Sequence, residues 1–268
     1  MTIAFMPGEA GYFAAAAEAR DELVRLRLIE AECDPHTFRY LDAIGVGAGW
    51  RCLEVGAGAG SVVRWLSGRV GPKGQVVAVD IDPRFLGDLG EPNVEVRRCD
   101  ITSDDVEPAC YDLVHSRLLL MHLGDPAGAQ HRMAAALRPG GWLVAEEPDN
   151  AVAEAVDRTH PLAEVFDSCN RKRIEFTSAA GITDLRFGTV LPIYMDALGL
   201  VEMGNKASPG WSTAATLSRA CGSKPGSEST TRHRQGHPHR VRGRGHAARL
   251  QGPDIHLPCT ADANGPGP

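Results

Sequence analysis

Leu53-Glu54-Val55-Gly56-Ala57-Gly58-Ala59-Gly60-Ser61 is the stretch that decides how this chain folds. Just before the glycines, Trp50, Cys52, Leu53 and Val55 make a short apolar run of the kind that becomes a buried strand. Beyond them, Val62, Val63, Trp65 and Leu66 begin an apolar pattern at helical spacing. Strand, glycine turn and helix together are how a doubly wound α/β domain brings backbone close to a nucleotide-like ligand. Glycine suits the turn because a Cβ would obstruct both the bend and the ligand. The helix start then offers unpaired N–H groups and a partial positive charge. A dinucleotide fingerprint needs G-x-G-x-x-G, yet the third position counted from Gly56 is Ser61, and counted from Gly58 it is Val63. Glu54 is a second departure, because a pyrophosphate disfavours a nearby carboxylate, whereas an ammonium group welcomes one.

The run E-x-G-x-G-x-G from Glu54 to Gly60 resembles the first motif of class I S-adenosylmethionine-dependent methyltransferases, whose cofactor carries an amino-acid end in place of a pyrophosphate. Later segments fall where that resemblance predicts. Gln75 to Asp80 is an apolar run ending in a carboxylate, 22 residues beyond Gly58 and thus suited to a ribose-binding acid. Val94-Glu95-Val96 alternates as a third strand and leads to Cys99-Asp100-Ile101. In the family, an Asp there accepts from the adenine amino group and the next apolar side chain packs on the ring. Tyr111 to Val114 reads as a fourth strand with His115, Ser116 and Arg117 at its end, and Leu137 to Val144 as a turn and fifth strand. The resemblance covers roughly residues 50–150. It implies cofactor contacts at Glu54, Gly56, Ala57, Gly58, Gly60, Asp80, Ile81, Asp100, Ile101, His115 and Ser116. It also implies a small-molecule type of enzyme with an actinobacterial-like sequence.

Plainer readings stand beside several of these. Gly56 and Gly58 suit an ordinary tight turn, Asp80 suits a helix cap ahead of Pro83, and Asp100 suits a loop carboxylate. Asp112 reads as structural. His115 fits a satisfied edge histidine as well as a catalytic group, and His122 fits a packed helix residue or a base. Leu118 to Met121 reads as core.

Seven cysteines are scattered without a C-x-x-C pair, which fits reduced thiols in a cytoplasmic protein and argues against a zinc site or a disulfide framework. No apolar stretch reaches the ~18 residues of a membrane span, and the start of the chain has no signal-peptide pattern. Ala14 to Glu32 reads as a helix, broken by Cys33 to Thr37 and followed by a short one carrying Phe38, Leu41 and Ile44. The family resemblance makes these a cover over the cofactor, with Tyr12 and Phe13 as pocket-lining or buried residues. His160 to Ser178 reads as a helix with Leu162, Val165, Phe166 and Cys169 on its apolar face; it resembles the family's acceptor-binding cap. Gly188 to Leu198 reads as a further helix and Leu200 to Met203 as a sixth strand.

After Gly204 the pattern changes. Nine Lys and Arg face three Asp and Glu there, a net +6 in a chain whose total is −6. Gly, Pro, Ser, Thr, Arg and His dominate, as in Arg232 to Arg240, and apolar periodicity is lost. Such a segment is expected to stay disordered. A basic nucleic-acid arm, a histidine metal site and a segment read out of frame from a GC-rich gene all compete as explanations, the last preferred. No seventh strand is recognisable.

The expected fold is therefore α/β, a doubly wound, mostly parallel Rossmann-like sheet with N-terminal helices and a disordered or aberrant C-terminal tail. The divisions are 1–45 (helical cover), 46–204 (cofactor domain, with 151–185 as acceptor cap) and 205–268 (low-complexity tail). The expected function is methyl transfer from S-adenosylmethionine to an O, N or C nucleophile of a small molecule, with His115 or His122 as candidate bases and no metal. Membrane and nucleic-acid partners are not expected. Two alternatives remain: a catalytically impaired cofactor-binding protein that has lost its last strand, and an NAD(P)-binding oxidoreductase. The acceptor and the oligomeric state are not legible.

Overall fold

The computed structural model describes residues 19–87, 89–208 and 213–220, all within one compact unit, Met1–Lys224. Tyr12, Phe13 and the tail from residue 221 onward lie outside the described residues. The apolar runs become β1 (Arg51–Val55), β2 (Gln75–Asp80), β3 (Val94–Arg98), β4 (Tyr111–Arg117) and β5 (Leu137–Pro148), all mutually parallel. Two more strands, β6 (Val201–Ser208) and β7 (Thr213–Arg219), complete a seven-stranded sheet in the order β3-β2-β1-β4-β5-β7-β6. β7 runs antiparallel to both neighbours. The order reverses between β1 and β4, so the crevice beyond their carboxyl ends is the topological switch point, where open α/β sheets bind ligands.

Helices cover both faces, which is why β1, β2 and β4 read as nearly continuous apolar runs. On one face Leu53, Val55, Val77, Val79, Val114 and Leu143 pack against α3 (Pro126–Ala136) and α5 (Phe187–Asp196). On the other, Cys52, Val76, Ala78, Leu113 and Val144 meet Val62, Val63, Leu66 and Val70 of α2 (Ser61–Val70), with Leu41 of α1 (Ala19–Ala43) in the same cluster. Phe38 of α1 stacks on Trp65 of α2 with ring centroids 5.0 Å apart. No helix among the described residues is long and apolar enough to cross a membrane.

Three expectations are corrected. The first concerns the tail, expected to be structureless from residue 205. Its first part instead supplies the end of β6 and all of β7, inserted between β5 and β6. Thr213-Ala214-Ala215-Thr216-Leu217-Ser218-Arg219 has little intrinsic strand preference, and pairing on both edges overrides that. The second concerns α1, which is continuous through Pro35 instead of breaking. An interior proline costs about 3 kcal/mol, but Cys33, Thr37 and Leu41, at helical spacing, are all buried on one face and hold the two halves in line. The third concerns α4 (Ala163–Ala179), where Leu162, Val165, Phe166 and Cys169 are exposed. Asp167 accepts from the Ala155 N–H and Asn170 donates to the carbonyls of Asn150 and Ala153, so hydrogen bonds set the rotation of α4, and Ala163 and Ile174 are the side chains it buries.

Candidate cofactor site at the switch point

The glycine turn connects β1 to α2 as its spacing requires. Gly56 and Gly60 have φ of +74° and +86°, and a Cβ would press on Leu119 at the first and on Leu86 and Leu89 at the second, at 3.0–3.3 Å. Backbone N–H groups of Gly56 and Ala57 both donate to the Val79 carbonyl, which ties the turn to the end of β2. Asp80, the last residue of β2, completes the tie. Its carboxylate accepts from the Gly58 N–H through Oδ2 and from the Asp82 N–H through Oδ1, each at 2.9 Å. Burial pushes the Asp80 carboxyl up, and these N–H donors oppose that rise. The helix-cap role weighed for Asp80 belongs instead to Asp82, whose side chain accepts from the Arg84 N–H. A carboxylate has about four lone-pair sites, and these N–H donors do not fill them all.

The rest of the rim divides. Ile81, next to Asp80, is 44 % exposed, an apolar surface at the strand tip. Asp100 follows β3, but its Oδ1 accepts from both the N–H and the hydroxyl of Thr102, the loop-turn role. Ile101 is buried in the core with Val77 and Val79. Ser116, at the end of β4, is fully buried, and its hydroxyl has no protein hydrogen-bond partner.

His115 changes role most. It lies opposite Glu54 in the β1–β4 ladder and is fully buried, with Nδ1 2.7 Å from Glu54 Oε2 and Nε2 3.0 Å from Glu146 Oε1. Burial works against charge on the ring, but the two flanking carboxylates outweigh it and hold His115 raised to about 9. An imidazolium donating from both nitrogens has no lone pair to accept a proton. Both ring nitrogens are thus engaged by buried carboxylates, in keeping with the satisfied-histidine reading. His122 lies in the 3₁₀ turn Leu120–His122 after β4, where burial first, and Arg25 second, pull it down to about 4. It is a neutral imidazole at neutral pH.

Several residues of the site escaped sequence reasoning. Leu118 takes a left-handed φ of +53° at the end of β4, a strained conformation for a side chain with a Cβ. The buried Glu147 carboxylate supports that bend by accepting from the N–H groups of Leu119, Leu120 and Met121. Burial still pushes Glu147 up to about 8. Two consecutive acids ending the fifth apolar run were the available signal, since buried carboxylates need a partner. Across the turn, α1 lays its own acids on α2. Glu30 accepts from the Ser61 N–H and Asp34 from the Ser61 hydroxyl, each at 2.9 Å. Arg117, its side chain 9 % exposed, donates to Asp34 and Thr37. The helical cover is thus fastened to the glycine turn by charge as well as packing. Asp112 is structural, accepting from the Arg51 N–H and from Arg138.

A second concavity, about 430 Å³, lies among the 3₁₀ turn Asn150–Val152, α4 and α5. Asp167, Asn170, Arg171, Ile174 and Arg186 line it, and none of the expected cofactor residues does.

A family model described as a methyltransferase domain matches residues 14–185. A methyltransferase of Strobilurus tenacellus is 29% identical over 161 residues, covering 59% of this chain and 55% of the relative. A ubiquinone biosynthesis O-methyltransferase of Burkholderia ambifaria is 33% identical over 119 residues, 42% of this chain and 50% of the relative. The chain therefore spans about half the length of these curated relatives. The crystal structure of an S-adenosylmethionine-dependent methyltransferase from Aquifex aeolicus superposes with a TM-score of 0.54 at 17% identity, covering 74% of this chain and 97% of that one. At that identity the likeness is one of fold.

Proposed function

Because the chain belongs to the methyltransferase-domain family, we propose that it is an enzyme that binds S-adenosylmethionine at the β1–β4 switch point and methylates an O, N or C nucleophile of a small molecule. The observation that carries this reading is the tie between Asp80 and the Gly58 N–H across a glycine turn that begins with Glu54. Its residues fit such a cofactor. Gly56 and Gly60 keep the turn free of side chains, Asp80 has lone pairs for ribose hydroxyls, and Ile81 offers an exposed apolar face at the strand tip. The partnerless Ser116 hydroxyl supplies a donor and acceptor nearby. Glu54 is the carboxylate suited to the ammonium end. Asp100 contributes through Oδ2, the oxygen its turn leaves over, with Ile101 packed beside it.

S-Adenosylmethionine, when bound, supplies a methyl group already activated by its sulfonium, so alignment at near-attack distance is the protein's main contribution. The chain's residues orient and exclude water. Glu147 fixes the turn after β4, Leu119 from that turn packs against Gly56, and α1 closes over the glycines with Leu26 near Gly58. His122 is the histidine available to take a proton from a hydroxyl acceptor, as a weak base near 4. The acceptor is assigned to the cap segment 151–185, which contains α4. The free cysteines Cys33, Cys52, Cys99, Cys110 and Cys169 favour a cytoplasmic setting. The impaired-binder alternative rested on a missing seventh strand, and β7 removes that ground.

Titration calorimetry of the full chain with S-adenosylhomocysteine is expected to give saturable binding in the micromolar range, and with NAD none. Saturable NAD binding with no response to S-adenosylhomocysteine would overturn the assignment.

A further inference from the structure

The row Glu54–His115–Glu146 crosses three adjacent strands, β1, β4 and β5, beneath the glycine turn. All three side chains are at most 3% exposed. We propose that His115 is a positioning residue which, backed by Glu146, holds the Glu54 carboxylate in one orientation so that it can receive the ammonium end of the cofactor. The inference rests on the site reading above and adds a residue that acts through another without touching the ligand.

Register supplies the first argument. Glu54 and His115 are direct partners in the β1–β4 ladder, and the contact engages Glu54 through Oε2, leaving Oε1 for a second donor. A glutamate has three side-chain torsions, and a bond to a ring fixed on its far side by Glu146 removes that freedom before a ligand arrives. Such pre-organisation is how a supporting contact contributes to affinity.

Charge supplies the second. On this face of the sheet Glu54, Glu146 and Asp34 stand with two cations, His115 and Arg117, and these groups feel one another electrostatically. Burial raises the Glu54 carboxyl, and the neighbouring His115 and Arg117 oppose that rise. A further cation beside Glu54, such as an ammonium group, would favour its charged form in the same way. Were His115 there only to fill space, a neutral side chain would avoid the cost of burying charge.

The test compares two ligands that differ in the amino-acid end. S-Adenosylhomocysteine carries it, and 5′-methylthioadenosine has the same nucleoside and thioether without it. In the full chain, His115→Asn is expected to weaken S-adenosylhomocysteine about tenfold, the scale of one hydrogen bond to a charged group, and to leave 5′-methylthioadenosine within about twofold. Glu54→Gln should do the same, and the double variant should be no weaker than Glu54→Gln alone, since His115 works through Glu54. If His115→Asn fails to melt cooperatively, Glu146→Gln decides, with a selective loss for S-adenosylhomocysteine expected. Equal losses for both ligands, or additive losses in the double variant, would overturn the proposal by reducing His115 to a structural part. A wild-type chain that binds both ligands equally would overturn the assignment of Glu54 itself, a distinct failure.

Discussion

Cutting the chain after Gly204 will abolish cooperative folding, whereas cutting it after Lys224 will leave the melting transition and cofactor affinity intact. The first cut removes β7, which pairs with β5 over Trp142 to Pro148 and with β6 over Val201 to Ser208. It strips β5 of a hydrogen-bonded edge, removes the buried Leu217 from the core, and leaves the remaining stub of β6 with nothing to pair with. A native domain has only about 5–15 kcal/mol to lose, and two ladders plus a buried edge exceed it. The second cut keeps every described strand. Thermal melts of the two truncations decide. A Gly204 truncation that still melts cooperatively near the full-length temperature would show that the antiparallel pair is dispensable.

Asp80→Ala is expected to weaken S-adenosylhomocysteine binding at least tenfold while the protein remains folded. The alanine removes the acceptor of the Gly58 and Asp82 N–H groups and also the proposed ribose contacts. Hydrogen bonds to a charged partner contribute roughly 1.5–3 kcal/mol each, so loss of even one ribose bond reaches a factor of ten. The strand itself survives, because Val76, Val77, Ala78 and Val79 carry its burial. Calorimetry on wild type and variant measures the change. An unaltered dissociation constant would confine Asp80 to holding the turn.

Local chemistry was legible in the sequence and long-range pairing was not. The glycine spacing, the apolar runs of β1 to β5 and the placing of Asp80 follow from period and residue type, and the structure has them in that arrangement. β7 was not legible because an Ala- and Thr-rich segment becomes a strand only when two edges accept it. The overlooked signal in the sequence was Pro209-Gly210, a dipeptide of the kind that favours turns, itself outside the described residues. α1 was read as broken because proline penalises a helix locally, while the buried face of Cys33, Thr37 and Leu41 acts over the whole element. In the site, Glu54 was legible by type, but its bond to His115, and that of His115 to Glu146, depend on strand register. The packing of Ile101 was not legible for a related reason: an apolar residue after a strand ends at the surface or in the core, and only the tertiary fold chooses.

The central claim is that the switch-point turn holds the cofactor. Its most direct test is a map of backbone amide shifts in the isotope-labelled full chain as S-adenosylhomocysteine is added. The account predicts that the largest shifts fall on Gly56, Gly58, Gly60, Ile81 and Ser116. Shifts concentrated on Asn170, Arg171 and Arg186 in the α4–α5 groove, with the glycine amides unmoved, would contradict it.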